Sequence, residues 1–324
     1  YLKSIFFGGG TPSLIESSLI RKIVKKCVKR FKYFSLSNEV EITLEANPNS
    51  LNRSKLLSFR DAGINRISIG AQSFSKRFLN FLGRDHSANE AKRNIEHARK
   101  IFNNVSFDLI YAMPNQTIYE WERTLETALQ FEPDHLSLYQ LTIEKGTVFY
   151  QMFRKGTLLP IDNDLASEMY SITENLTQKN EIPAYEVSNY SKKDRNCYHN
   201  LNYWEAGDWL GIGPGAVSRF FYNNKRTQVD VRKDPNRWLN SMKIHSNGIK
   251  SVNSETIEEF WREKLLMGLR LVKGVNIKPI KNILNMNKVY ELVDSNFLNL
   301  NNDIMKTTFN GRLRLNSILI EIIK

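Results

Sequence analysis

The 324-residue chain contains only two cysteines, Cys27 and Cys197. Two thiols exclude a disulfide framework and favour a reducing compartment, so we expect a cytoplasmic protein. They also exclude an iron–sulfur or zinc site built mainly from thiolates of this chain. No apolar run approaches the roughly 20 residues that a transmembrane helix needs, which leaves peripheral contact as the only membrane association to consider.

Acidic residues are the scarcer charged class: 34 Asp and Glu stand against 46 Lys and Arg, for a net charge of +12. This balance permits an anionic partner such as nucleic acid, a membrane surface, a phosphate or a carboxylate-rich small molecule, and does not choose among them. Hydrophobic residues make up 41% of the chain, enough for a packed core.

Short β-rich runs alternate with amphipathic segments over the first 142 residues. Such alternation predicts parallel βαβ units, since parallel strands need long crossover connections. The pattern therefore predicts an α/β barrel or open parallel sheet, with strands at residues 4–7, 40–45, 66–70, 105–111 and 136–141. A further strand is predicted at residues 185–190. Because the chain begins almost inside a strand, we expect that an N-terminal piece is missing.

The character of the sequence changes near residue 254, where short helical patterns replace the strand–helix alternation. Asn310-Gly311, set between two short runs, predicts a two-residue hairpin with a type I′ turn. Helices with one small hairpin are typical of a winged-helix-like α+β domain. We therefore expect domains over residues 1–235 and 236–324.

A glycine-dense turn, Gly8-Gly9-Gly10-Thr11-Pro12, directly follows the first predicted strand. Glycines let backbone N–H groups approach a ligand closely, and successive amides can form an anion-binding concavity. The position favours a ligand site because barrel sites lie at the carboxyl ends of strands. A simple tight turn is the alternative interpretation.

Polar residues interrupt three successive predicted strands where a packed barrel would place aliphatic ones. They are Glu45, Asp108 and the set Ser68, Gly70 and Gln72. A charge buried in a strand is costly unless it is paired or bound to a ligand. The sequence therefore predicts a polar lumen that holds a cationic, hydroxyl-rich ligand.

Five ordered motifs resemble the radical S-adenosylmethionine family of oxygen-independent coproporphyrinogen III oxidase-like proteins. They are FGGGTP (7–12), EANP (45–48), RISIGAQSF (66–74), GRDH (83–86) and DLIYAMP (108–114). HNLNYW (199–204) and LGIGPGA (210–216) are similar to the HemW branch, which comprises haem chaperones. The resemblance covers nearly the whole chain. It implies a partial (βα) TIM-like barrel, here without its first strand, that binds S-adenosylmethionine at its mouth.

The resemblance implies a cofactor pocket made of Gly9, Gly10, Thr11, Glu45, Gln72, Arg84 and Asp108. Carboxylates suit the ammonium group and the ribose hydroxyls, and the glycine turn offers backbone groups to the methionine end. The family also holds a 4Fe–4S cluster on a Cys-x-x-x-Cys-x-x-Cys loop, which this sequence does not contain. We expect the cluster cysteines upstream, with true loss of the loop and of reductive cleavage as the alternative, and we assign no metal ligand or catalytic residue in this chain.

The haem-chaperone branch implies haem as cargo and a haem-acceptor protein as partner. His199 is the candidate haem ligand because an imidazole is a common axial ligand of haem iron. A hydrogen-bonded structural role is the alternative, and Cys197 is a second candidate ligand. His86 and His135 are interpreted as structural.

Two other functions stay open at this stage. An oxygen-independent coproporphyrinogen III oxidase would need cations for the substrate carboxylates, and Arg84, Arg219 and Arg226 are candidates. A nucleic-acid-binding protein would use the net positive charge and the winged-helix-like end. We do not expect nucleic acid as a partner because Lys and Arg do not concentrate on a recognition helix.

Overall fold

The computed structural model describes residues 2–31 and 40–324, which form two compact units, Tyr1–His199 and Asn200–Lys324. Unit 1 is built on a six-stranded sheet in the order β1-β2-β3-β4-β5-β6. Its strands are β1 (Ser4–Phe7), β2 (Glu41–Ala46), β3 (Arg66–Gln72), β4 (Val105–Tyr111), β5 (His135–Gln140) and β6 (Asn189–Ser191).

The first five strands are parallel, and β6 runs antiparallel to β5. The five strands predicted from the alternation are thus confirmed, within a residue or two at each end. The further strand predicted at 185–190 is shorter and lies later, at β6. The partial α/β barrel expected from the sequence is the architecture of this unit.

Helices connect the strands of unit 1. They are α1 (Ser17–Arg30), α2 (Arg53–Asp61), α3 (Lys76–Phe81), α4 (Ala88–Arg99), α5 (Ile118–Leu129), α6 (Val148–Arg154) and α7 (Asn163–Lys179). A last helix, α8 (Tyr198–Trp204), begins in unit 1. Capping boxes define the starts of α4 and α5, where Ser87 pairs with Glu90 and Thr117 with Glu120.

The two faces of the sheet differ in chemistry because side chains alternate along each strand. One face is apolar, and the residues on it are fully buried: Leu44, Ile67, Ile69, Phe107, Leu109 and Leu136. The other face, which we call the polar face, carries Glu41, Thr43, Glu45, Arg66, Ser68, Ser106, Asp108, His135 and Ser137. The strand register aligns these polar residues in rows, with Glu45 beside Ser68 and Asp108 beside Ser137.

The first part of unit 2 is an antiparallel sheet in the order β7-β8-β9. Its strands are β7 (Val217–Tyr222), β8 (Lys225–Val231) and β9 (Ile249–Glu255), and α9 (Pro235–His245) connects the last two. The domain boundary expected after residue 235 therefore falls between two strands that pair along most of their length.

The second part of unit 2 combines helices with a small antiparallel sheet in the order β10-β12-β11. The elements are α10 (Ile257–Gly268), β10 (Val275–Asn276), α11 (Met286–Asp294), β11 (Leu298–Asn301), β12 (Ile304–Thr307), α12 (Phe309–Leu313) and α13 (Leu315–Ile322). This α+β composition agrees with the expectation for the C-terminal region.

The hairpin prediction in this region was wrong. The hairpin joins β11 to β12 through Asn302-Asp303, both at positive φ (48° and 62°), since Asn and Asp tolerate the left-handed conformation without glycine. Asn310-Gly311 lies in α12 instead. A Cβ atom on Gly311 would collide with the carbonyl oxygen of Phe297, so this glycine allows close packing rather than a turn.

Across the described ranges, no helix combines the length and the apolar character needed to cross a membrane.

Candidate functional site

The glycine turn lies at the carboxyl end of β1, and its three glycines are exposed. Gly9 and Gly10 have φ values of 78° and 59°, a conformation that glycine adopts readily and other residues rarely do. The amide of Gly9 donates a hydrogen bond to Glu45 Oε2 at 3.3 Å. A Cβ atom on Gly8 would lie 3.2 Å from the same oxygen. The turn therefore folds against the end of β2.

Two carboxylates, Glu45 of β2 and Asp108 of β4, lie on the polar face on either side of Ser68 of β3. Glu45 is in register with Ser68, and the Ser68 hydroxyl donates to Asp108 Oδ1 at 3.3 Å. Both carboxylates are half-buried. The sheet thus brings together two acids that are 63 positions apart in the sequence.

The surroundings of these acids favour their neutral forms. Burial raises the pKa of Glu45, although the hydrogen bond from Gly9 and the charge of Arg66 act in the opposite direction. Burial also raises the pKa of Asp108 from 3.8 to about 6, and the neighbouring charge of Glu45 adds to this effect. Two desolvated acids beside an exposed turn are a typical arrangement for binding a cation, which would compensate their charge.

Gln72 ends β3 in a strained conformation, with a φ of 63°. The β3–β4 ladder is irregular between Ile69 and Gln72. A Cβ atom on Gly70 would lie only 2.9 Å from Gln72 Nε2, so the glycine makes room for the side-chain amide to fold back over the strand. Strain of this kind at a strand end is typical of binding sites.

Arg84 lies half-buried in the loop between α3 and α4. The next residue, Asp85, accepts a hydrogen bond at 2.7 Å from Asn49, which belongs to the turn after β2. The following residue, His86, is buried and bonds through Nε2 to the carbonyl oxygen of Ala71 at 3.1 Å. These contacts attach the Arg84 loop to the ends of β2 and β3, and give His86 a structural role.

The predicted pocket residues therefore lie at or near the carboxyl ends of β1 to β3, in the middle of β4 (Asp108), or in a loop attached to the ends of β2 and β3. Gly9, Glu45 and Asp108 interact directly or through electrostatics. Gly10 and Thr11 continue the turn. That these residues bind S-adenosylmethionine stays a prediction, and the geometry and the donor set suit it: exposed amides for a carboxylate, and desolvated acids for a cation.

A buried ion pair deeper in the polar face was not predicted from the sequence. Glu41 and Arg66 are only 6% and 2% exposed, and Arg66 Nε lies 3.9 Å from Glu41 Oε2. Cys197 donates through Sγ to Glu41 Oε1 at 3.6 Å. The signal was present in the sequence, because Glu41, Thr43 and Glu45 share one face of a single strand.

His199 stands in the first turn of α8, and its ring stacks on Phe6 of β1. The ring centroids are 4.0 Å apart, and the planes differ by 13°. Phe6 belongs to the polar face, and its ring would lie 2.7 Å from a Cβ atom on Gly8. One aromatic ring therefore separates His199 from the glycine turn.

His135 and Cys197, the other groups considered as ligands or structural residues, are fully engaged in the interior. His135 bonds through Nδ1 to Ser106 at 2.8 Å and through Nε2 to Tyr185 at 2.9 Å. Burial lowers its pKa well below 6.5, so the ring is neutral. Cys197 is 1% exposed. These contacts give His135 a structural role and leave Cys197 without access to a ligand.

A 4Fe–4S cluster does not fit the residues of this chain. Cys27 lies on α1 and Cys197 lies beside β2, 170 positions further on. Among the residues whose positions are described, no group of three or more His, Cys, Asp or Glu side chains could hold a metal ion. We therefore derive no chemical step through the cluster.

Two of the three arginines considered for binding substrate carboxylates are already paired within unit 2. Arg219 forms ion pairs with Glu255 and Glu263. Arg226 is 1% exposed and bonds to Asp208 Oδ1 at 2.6 Å. Aromatic rings surround its guanidinium: Trp209, Phe221 and Phe260. Neither side chain is available to an incoming anion.

Comparisons with known proteins agree with this fold. Residues 1–128 match the radical SAM superfamily. Coproporphyrinogen III oxidase (HemN) from Escherichia coli, a radical SAM enzyme, superposes with a TM-score of 0.79 over 98% of this chain and 77% of that protein. Its sequence identity is 19%, so this likeness concerns the fold alone. Residues 1–128 thus carry the radical SAM sequence pattern on a fold shared with a radical SAM enzyme.

Curated relatives narrow the family. "Radical S-adenosyl methionine domain-containing protein 1, mitochondrial" of Danio rerio is 32% identical over 99% of this chain and 75% of its own length. "Heme chaperone HemW" of Buchnera aphidicola (subspecies Schizaphis graminum) is 34% identical over 98% of this chain and 83% of its own length. HemW of Escherichia coli is 32% identical with the same coverage. The chain therefore belongs to the radical SAM family that includes HemW and radical SAM domain-containing protein 1.

Proposed function

We propose that this protein is a haem chaperone of the radical SAM class. It binds S-adenosylmethionine at the carboxyl edge of the sheet, takes up haem and passes it to an acceptor protein. The observation that carries the cofactor part is the pair of desolvated acids, Glu45 and Asp108, beside the exposed glycine turn. The haem part is supported by the names of the HemW relatives.

The chemistry of S-adenosylmethionine matches the groups at this edge. Its sulfonium and ammonium groups are cationic and compensate the carboxylates of Glu45 and Asp108. The same acids can accept hydrogen bonds from the ribose hydroxyls. The amides of Gly9 and Gly10 can donate to the methionine carboxylate. The proposed pocket is completed by Thr11, Gln72 and Arg84.

Haem uptake is assigned to His199. The acids Glu45 and Asp108 would repel the haem propionates, so haem needs a different surface, where His199 supplies a ligand for its iron. His199 as a residue is half-buried, its ring stacks on Phe6, and its Nδ1 atom is buried, so Nε2 is the ring nitrogen assigned to the iron. Cys197 is the weaker candidate because its thiol is buried and donates to Glu41.

Haem titration of His199→Ala tests this assignment. We expect a shifted Soret band and weaker affinity, because loss of an axial ligand changes the iron coordination. Asp108→Ala, a variant in the cofactor pocket, should change neither quantity. An unchanged Soret band in His199→Ala would give this residue a structural role and contradict the assignment.

No observation favours the alternative oxidase or nucleic-acid functions. Arg219 and Arg226 are paired internally, and the likeness to HemN concerns only the fold. An assay of coproporphyrinogen III turnover separates the oxidase from the chaperone, for which we expect haem binding without turnover. The cytoplasmic location stays a prediction, since mitochondrial proteins are among the relatives.

A further inference from the structure

Glu41 connects the sheet to the segment that carries His199. Its Oε2 atom accepts the backbone N–H of Tyr198 at 3.3 Å. Its Oε1 atom accepts the thiol of Cys197 at 3.6 Å. One carboxylate from β2 therefore holds the two consecutive residues that come immediately before His199, across 156 positions of sequence.

The buried ion pair makes this attachment stiff. A buried carboxylate requires compensation of its charge, which Arg66 Nε supplies from 3.9 Å. Arg66 in turn donates to Thr43 Oγ1 at 3.5 Å on the neighbouring strand. Both side chains are almost completely buried, so they attach the segment before α8 to the interior of unit 1.

His199 is consequently fixed at two points. Glu41 restrains its backbone through Tyr198 and Cys197, and Phe6 restrains the plane of its ring. An imidazole binds iron along a lone pair in the plane of the ring, so a change of tilt changes the bond. Removing a group that orients a metal-binding histidine typically lowers the affinity for the metal by about 10-fold to 100-fold.

We infer that Glu41, supported by Arg66, is a positioning residue that orients His199 for haem binding. This inference rests on the proposed haem-binding role of His199. Arg66 also interacts electrostatically with Glu45 and Asp108 of the cofactor pocket. A change at Arg66 alone would therefore affect both the cofactor pocket and the His199 segment. For this reason the decisive substitutions are made at Glu41.

The test compares three variants of the full chain by haem titration and absorption spectroscopy. Glu41→Ala removes the acceptor and should shift the Soret band and weaken haem binding about 10-fold. Glu41→Gln keeps an oxygen that can accept the Tyr198 N–H, so its spectrum should remain close to that of the wild type. The double variant Glu41→Ala/Arg66→Met removes the uncompensated cation, so it keeps the test valid if Glu41→Ala alone fails to fold. Its Soret band should still be shifted.

Asp134 offers a matched control. Its carboxylate accepts the backbone N–H of Val105 at 3.3 Å and lies 3.9 Å from Lys192 Nζ, the same pair of distances as at Glu41. Asp134→Ala removes a carboxylate with the same two distances in a more exposed ion pair, and its hydrogen bond goes to β4 rather than to the segment before α8. We expect a lower melting temperature with an unchanged Soret band.

The outcomes distinguish this inference from the proposed function. If His199→Ala shifts the Soret band and both Glu41→Ala and the double variant do not, the positioning role is refuted and the haem ligand stands. If His199→Ala leaves the band unchanged, the ligand assignment fails, and the positioning role fails with it. A shift in Glu41→Ala that Glu41→Gln restores supports the inference.

Discussion

Replacing Asp108 with asparagine should stabilise the folded protein at neutral pH. The Asp108 carboxyl lies on the polar face, where burial raises its pKa from 3.8 to about 6. Asparagine has nearly the same shape, and its carbonyl oxygen can still accept the hydrogen bond from Ser68. The substitution therefore removes a desolvated charge while it keeps the local packing.

The sign and size follow from proton linkage. Between pH 4 and pH 6 the folded carboxyl holds its proton while the unfolded one has lost it, so the free energy of unfolding falls as the pH rises. The difference between 3.8 and about 6 corresponds to about 3 kcal/mol, at about 1.36 kcal/mol per pKa unit. This penalty is complete above pH 7, about half as large at pH 5, and absent well below pH 4.

Urea unfolding of wild type and Asp108→Asn at pH 7.5 and pH 5.0 measures the effect. The variant should gain up to about 3 kcal/mol at pH 7.5 and about half of that at pH 5.0. Glu126→Gln, an exposed acid on α5, is the control and should change stability by less than about 0.5 kcal/mol. A variant no more stable than the wild type at pH 7.5 would refute the reasoning, because Asp108 would then carry no desolvation penalty.

Two further predictions concern the glycine turn and the cluster. Gly9→Ala places a side chain at a φ of 78°, which should cost about 1–2 kcal/mol and weaken S-adenosylmethionine binding measured by calorimetry. Gly156→Ala, a control at a φ of 69° far along the chain, should lose similar stability with unchanged affinity for S-adenosylmethionine. Equal affinities of the two variants would contradict a role for the turn. Anaerobic reconstitution of this chain should give no stoichiometric 4Fe–4S signal, since two distant cysteines cannot supply three thiolates; a signal that Cys27→Ser abolishes would contradict this.

Local patterns in the sequence determined the framework of unit 1. Alternating β-rich and amphipathic runs were enough to predict β1 to β5, because the period of apolar residues reflects which face each element buries. The acids Glu45 and Asp108 were visible as exceptions within apolar strands. Glu45 lies near the end of β2, whereas Asp108 lies in the middle of β4, so strand register and not a common strand-end position brings the two acids together.

Other features depend on contacts between distant parts of the chain, which no local pattern contains. The hairpin was misplaced because Asn-Gly is a stronger turn signal in the sequence than Asn302-Asp303, although the latter pair adopts the positive φ values of the turn. Gly311 instead allows close packing against Phe297. The antiparallel direction of β6 was likewise set by its pairing with β5.

The tertiary structure alone decided the surroundings of His199. The sequence singled out this residue as a ligand candidate from its neighbours along the chain. Its stacking on Phe6 and the attachment of its turn to Glu41 join residues more than 150 positions apart. Burial of Arg66 beside Glu41 likewise follows from strand register, because a side chain's charge partner is set by the neighbouring strand and not by the adjacent residue.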